Sequence, residues 1–395
     1  MTDRHLCILT AGSGSLKFVL YDVTAGGLKR SVFGSVEGIG SLKARLRMNS
    51  SDGRSMRDTR FHVPDQAAAV ASLADLHDGP LSPGSLVAFG HRVVHGGPDY
   101  DAPVRLTPET VARIEALGEL APMHNPPAVE VIKALAARCP GVPQVACFDT
   151  SFHRGHPAVA DRYAIPDELY REGLRRYGFH GLSYEHITAR LADVAPSVAL
   201  GRVVIAHLGT GASMCAVAGG RSIDSSMGFS AVDGLPMGTR SGAVDPSLVL
   251  WLQRAKGWSL ERIDSFLHNE CGLKGLSGIS DDITVLLESS EPSAKMALDY
   301  FVHHACRFTG ALAAAMGGID AMVFTGSVGE HSAAMRARIL RRLNFLGFLI
   351  DETANAAGGP LLTVVDSPRP AYMIHTDMEL VIARHTMALI GRGGA

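Results

Sequence analysis

The sequence predicts an α/β protein of two duplicated domains, and three observations carry that prediction. Short β-branched runs alternate with longer alanine-rich stretches of helical periodicity, the pattern of sheets covered by helices. A strand–turn–strand plan occurs twice, as HLCILTAGSGSLKFVLYDV over residues 5–23 and VVIAHLGTGASMCAVAGGRSID over residues 203–224. Two copies point to paired domains and not to a solenoid. Finally, 395 residues, 46% of them hydrophobic and 19% charged, suffice for two or three domain cores.

Taken in order, strands are expected at residues 6–10, 18–23, 87–89, 144–148, 203–208, 214–218, 321–324 and 371–374, where apolar and β-branched residues cluster. Helix starts are expected at Thr107-Pro108 and Asn125-Pro126, each a capping residue ahead of a proline suited to the first turn. Apolar-periodic segments at 293–316 and 378–390 read as helices packed on a sheet. The basic residues Lys43, Arg45, Arg47, Arg54, Arg57 and Arg60, interrupted by Asp52 and Asp58, read as a solvated hairpin face.

The formal net charge of −2 gives no electrostatic footprint for nucleic acid or an anionic membrane. Six cysteines without a C-x-x-C pair suggest reduced thiols, not a disulfide framework. The apolar start at residues 6–9 is too short for a signal segment, and the stretch 310–329 is glycine-rich and contains Asp320. A soluble, cytoplasmic protein is expected.

The chemistry concentrates after apolar runs. Gly12-Ser13-Gly14 lies over Gly209-Thr210-Gly211 in the duplication, and such hairpins turn backbone N–H groups toward an anion. Two of them facing each other would grip a nucleotide's phosphates. Lys17 is either a point charge for a phosphate or a solvent-facing strand residue. Arg92 (in GHRVVHGG) and Arg240 (in GTRSG) present forks that suit carboxylate or phosphate, or else form structural ion pairs. Asp149, after the run 144–148, could organise Mg²⁺ or the attacking oxygen, or cap the next turn. His180 could donate to transition-state oxygens or be a satisfied core histidine. The segment 326–332 offers a helix start to a nucleotide or is a plain turn. His153 and His156, with His180 nearby, suggest a metal, but no carboxylate or cysteine completes a zinc spacing.

GHRVVHGG, FDTSFH, RYGFHG, HLGTGAS and MGTRSG, in this order, resemble the acetate kinase family from about residue 6 to about residue 386. That resemblance implies the sugar kinase/Hsp70/actin, ribonuclease H-like fold with a nucleotide in the interdomain cleft. It divides the chain into residues 1–149 plus 378–395, and 150–377. It implies ATP/ADP with Mg²⁺ (or Mn²⁺), a homodimer, and transfer of the γ-phosphate to acetate, with propionate or butyrate as alternative acids. By motif, Asp149, His180 and Arg240 would be catalytic, and Arg92, Val94, Met123, Phe179 and Ala231 would bind the acid. Lys17, Ser13 and Ser15, His207, Leu208, Gly209, Thr210 and Gly211, Asp282, Ile283 and Thr284, and Ser327, Val328, Gly329, Glu330 and His331 would hold the nucleotide. Thr10, Asp149 and Asp377 would meet the metal.

The chain also departs from the family pattern. Thr10 and Thr210 stand where asparagine is usual, Met378 where a metal-linked glutamate is usual, and Thr284 where an arginine flanks the adenosine. Met123 and Ala231 replace leucine and proline around the acid. The competing reading motivated by these changes is a nucleotide-binding regulator without catalysis; a metal hydrolase is more distant.

Overall fold

A computed structural model describes residues 4–74 and 85–391. The chain forms two compact units, Met1–Ser151 with Asp377–Ala395, and Phe152–Thr376.

The first unit contains one sheet of β1 (His5–Gly12), β2 (Ser15–Thr24), β3 (Gly27–Glu37), β4 (Ala44–Ser50), β5 (Ser55–Phe61), β6 (Leu86–Val93), β7 (Val104–Arg105) and β8 (Gln144–Phe148), in the order β5-β4-β3-β2-β1-β6-β8-β7. The second holds β9 (Arg202–Leu208), β10 (Ala212–Ala218), β11 (Arg221–Ser225), β12 (Ala321–Thr325) and β13 (Ala371–Met373), in the order β11-β10-β9-β12-β13. The repeat seen in the sequence is therefore a repeat of topology. In each sheet three antiparallel strands (β3-β2-β1 and β11-β10-β9) continue into two parallel ones (β6-β8 and β12-β13). Interior strands covered on both faces read as unbroken apolar runs, and β8 and β12 are buried along their whole length.

The strands β3, β4 and β5 were not expected as members of the sheet. They are amphipathic or polar, and β5 is largely solvated; Arg45 pairs with Asp58 and Arg47 with Glu37 across them. The reading of a solvated hairpin face was right for β4 and β5, but its polar pattern hid the pairing to β3.

Helix starts follow their chemistry with one exception. Thr107 caps Pro108–Ala116 in a reciprocal box with Thr110. Asn125 does not cap its helix, because it is already the first residue of Asn125–Arg138 and is fully buried. Its side chain accepts the His95 N–H at 3.1 Å and donates to the His95 carbonyl at 2.9 Å, pinning the loop after β6. The C-terminal helix Met378–Gly391 seats on β6 at Gly90, where an added Cβ would lie 2.6 Å from Thr386 Oγ1 and 2.7 Å from Ile382.

Candidate active site

In the first unit, strand register collects the predicted polar residues. Thr10 of β1 faces Lys17 on β2 and Arg92 on β6, so the three side chains form one row on one face of the sheet. Arg92 is in turn level with Cys147, which brings its guanidinium to the residue just beyond β8. There it makes a fork with Asp149: Nε donates to Oδ1 at 3.0 Å and Nη2 to Oδ2 at 2.5 Å. The Asp149 carboxylate is 1% exposed and the Arg92 side chain 19%. Burial alone would lower the Arg92 pKa, but the charges of Asp149 and, more weakly, Glu379 raise it. Of the alternatives left open by the sequence, Arg92 forms the ion pair, and its remaining N–H groups are not used by Asp149.

The first hairpin turns at Ser13-Gly14 between β1 and β2. Gln66, which sequence reasoning did not single out, clamps it: buried at 3% exposure, it donates Nε2–H to the Gly12 carbonyl at 2.7 Å. Asp377 is placed differently from a metal ligand. Its carboxylate takes Arg30 Nη2 at 3.1 and 3.2 Å and the Leu380 N–H at 2.9 Å, so it caps the C-terminal helix from within an ion pair.

In the second unit the corresponding hairpin, Gly209-Thr210-Gly211, is the meeting point. A Cβ on Gly211 would lie 3.3 Å from His180 Nε2 and 3.8 Å from an Arg240 Nη1, so imidazole and guanidinium converge on that backbone. His180 has φ +57, the single described non-glycine residue with positive φ, a conformation that costs an L-residue about 1–2 kcal/mol. Its ring is held by Ser213 Oγ at 2.8 Å on Nδ1 and stacks on His207 at 4.3 Å. Tyr184 makes a very short hydroxyl contact with the same Ser213. Arg240 donates Nη1–H to the Ala231 carbonyl at 3.2 Å. The segment carrying Arg240 is packed by Gly272, φ +63, where an added Cβ would lie 2.1 Å from the Met237 carbonyl and 2.7 Å from the Arg240 carbonyl.

Beside this hairpin opens a cavity of about 650 Å³. Of the expected nucleotide residues, Gly209, Thr210, Asp282, Ile283, Thr284, Ser327, Val328 and His331 line it. Gly238, Asp281 and Phe301 line it too and were missed; Asp281 adjoins the predicted Asp282, and Phe301 sits in a long helix where it read only as core. His207, Leu208, Gly211, Gly329 and Glu330 do not line it. Glu330 is a clamp instead, and its Oε1 accepts from the Gly326 N–H at 2.9 Å and the Thr376 N–H at 3.1 Å, while Oε2 takes His375 Nδ1 at 2.7 Å. Burial would raise the Glu330 pKa, but these bonds hold it below the usual value. Gly326, φ +78, packs directly on the Leu208 carbonyl and explains why the motif needs glycine there.

Of the residues expected to surround the acid, Val94 and Phe179 are buried and Met123 is 38% exposed. Val94 and Met123 belong to the first unit, and Phe179 and Ala231 to the second. No group of three or more His, Cys, Asp or Glu among the described residues is arranged as a metal cage.

The chain is similar to known proteins over nearly its whole length. Residues 5–384 match the acetokinase family. An acetate kinase of Nitrobacter hamburgensis is 49% identical over 394 residues, covering 98% of this chain and 96% of that one. Among solved structures, Porphyromonas gingivalis acetate kinase superposes with a TM-score of 0.88 at 33% identity, covering 98% and 100% of the two chains. A propionate kinase from Francisella tularensis gives 0.91 at 33% identity, covering 97% and 98%.

Proposed function

Because the chain belongs to the acetokinase family, we propose how its residues carry out the family's reaction, the reversible transfer of the ATP γ-phosphate to acetate giving acetyl phosphate and ADP. The observation that carries the assignment is the convergence of His180 and Arg240 on Gly211 beside a nucleotide-sized cavity.

Acetate is ionised at neutral pH, as any simple carboxylic acid is, so attack on the γ-phosphorus needs no general base. A carboxylate oxygen forms the new P–O bond while the bond to the β-phosphate bridging oxygen breaks, and ADP takes that electron pair. What the protein must supply is alignment and neutralisation of charge on the equatorial oxygens. Arg240 supplies a fork of donors to those oxygens. His180 supplies an Nε2–H, its tautomer set by a hydroxyl proton from Ser213 to Nδ1. Arg92 keeps donors for the acetate carboxylate after Asp149 has taken two of its five N–H groups. Within the first unit, Lys17 and the turn at Ser13 and Ser15 offer a charge and N–H groups suited to phosphate.

The residues fit Mg²⁺ delivered on the nucleotide, which usually keeps several waters and needs one or two protein carboxylates, better than a dedicated cage. Asp149 would hold it directly or through water beside its fork to Arg92, Thr10 being level with Arg92 on the adjacent strand, and the ion would supply positive charge to the phosphates. Asp377 is likewise engaged by an arginine, Arg30, and in addition caps the C-terminal helix through the Leu380 N–H, so Asp149 is preferred for that role.

We assign the working form as a cytoplasmic homodimer. Supporting self-association, the Pro246–Lys256 helix leaves Leu248, Leu250 and Trp251 42%, 52% and 49% exposed. No helix among the described residues is long and apolar enough to cross a membrane.

The test is an acyl-hydroxamate assay on the purified protein with ATP, Mg²⁺ and acetate. Product that requires both ATP and acid is expected; absence of product with acetate and with propionate would overturn the proposal.

A further inference from the structure

The histidines whose spacing hinted at a metal, His153 and His156, meet in the second unit at one serine on β11. Ser222 Oγ lies 2.8 Å from His153 Nδ1 and 2.7 Å from His156 Nε2, with Cys215 Sγ at 3.2 Å. His153, Ser222 and Cys215 are 1%, 2% and 0% exposed.

The hydrogens in this cluster are ordered by valence. His153 Nε2 lies 3.0 Å from the Phe179 carbonyl, which can only accept, so Nε2 carries the proton. In the neutral ring Nδ1 then accepts, and Ser222 donates to it. With its one proton spent, Ser222 Oγ accepts from His156 Nε2–H. Burial, followed by the neighbouring His153 and then by Arg176 and Arg154, pushes the His156 pKa down to about 2, and burial pushes the Cys215 thiol up to about 12, so neither adds a charge. Protons therefore run one way, from His156 through Ser222 and His153 to the carbonyl of Phe179.

That carbonyl belongs to the peptide joining Phe179 to His180, whose left-handed φ of +57 must be held by its surroundings. The His153 ring also lies against the preceding turn. A Cβ on Gly178, φ +71, would come within 2.7 Å of the ring carbons, so glycine lets the ring approach the backbone. His153 thus grips the turn at two consecutive residues.

We propose that the buried His156–Ser222–His153 chain is a positioning device that fixes the Phe179–His180 peptide and so aims His180 Nε2. It rests on His180 acting in catalysis as assigned above. Neither histidine touches the reacting atoms in this scheme, and the effect passes through the backbone.

The experiment compares His153→Leu, His153→Gln, Ser222→Ala and His180→Ala in the full-length protein, recording kcat, acetate KM and Tm. Misplacing a catalytic group by about 1 Å costs on the order of 10²-fold. His153→Leu is expected to lower kcat by about 100-fold with acetate KM changed less than about threefold. His153→Gln, which keeps an N–H within reach of the carbonyl, is expected to recover about tenfold of that loss. Ser222→Ala, a mild change that should fold even if His153→Leu does not, is expected to lower kcat by about tenfold through loss of the donor that orients the His153 ring. The inference is overturned if Ser222→Ala keeps kcat within about twofold, or if glutamine restores nothing while Tm falls equally in both His153 variants. Full activity in His180→Ala would overturn it together with the role of His180; loss in His180→Ala alone would overturn the positioning inference and leave that role standing.

Discussion

At the scale of single residues, Arg92 and Asp149 lie 57 positions apart, and only the parallel register of β6 and β8 makes them a pair. The sequence offered each a functional and a structural role, but could not reveal that the two side chains pair with each other. Breaking a buried pair strands a charge, so Arg92→Ala is expected to destabilise the protein by about 3 kcal/mol, measured by denaturant unfolding, beyond any loss of acetate binding. His91 makes a second residue-level prediction. Buried against Gln144, whose Oε1 accepts its Nε2–H at 2.7 Å, it has its pKa lowered by burial from 6.5 to about 4. The unfolded chain therefore binds the extra proton between those values. The stability is complete above pH 6.5 and is lost as pH falls to about 4, by up to about 3 kcal/mol at 1.36 kcal/mol per unit. His91→Phe should flatten the dependence of Tm on pH across that window, whereas an unchanged slope would assign acid lability elsewhere.

At the scale of elements, what was legible followed burial. The apolar strands β1, β8, β9 and β12 announced themselves because a strand covered on both faces must be apolar throughout. The polar strands β3 to β5 did not, because their inward positions alternate with charges. The glycine motifs were visible as turns, but their reasons were not: Gly326 and Gly272 are required by carbonyls of other segments, Leu208 and Met237, distant in sequence. Glu330 lay in a segment read as nucleotide-binding, while two of its partners, Thr376 and His375, are more than forty residues away. Gly272→Ala offers a direct test at this scale. The added methyl meets three carbonyls of the segment bearing Arg240, those of Met237, Gly238 and Arg240, and also forces φ +63 on alanine. A loss of about 2 kcal/mol or more and a fall in kcat larger than the change in ATP affinity are expected. Calorimetry and steady-state kinetics would show both.

At the scale of the molecule, the duplication read from two hairpins proved to be a duplicated sheet order, and each copy uses its hairpin differently. In the first unit the hairpin stands beside the row of Lys17, Thr10 and Arg92. In the second it adjoins His180, Arg240 and the cavity. The departures Thr10, Thr210 and Met378 leave Arg92, Asp149, His180 and Arg240 intact, which favours an enzyme over a silent binder. The exposed Leu250 and Trp251 belong to this scale as well: Trp251→Glu is expected to shift the protein from dimer to monomer in light scattering, and a monomeric wild type would contradict the assembly proposed.

The central claim, that Arg240 neutralises charge developing on the transferring phosphoryl group, is tested most directly by Arg240→Ala, with kcat from acetyl phosphate formation and ATP affinity from calorimetry on the same samples. The account predicts kcat lower by about 10²–10³-fold with ATP affinity within about threefold of wild type. A kcat within a few fold of wild type would contradict it.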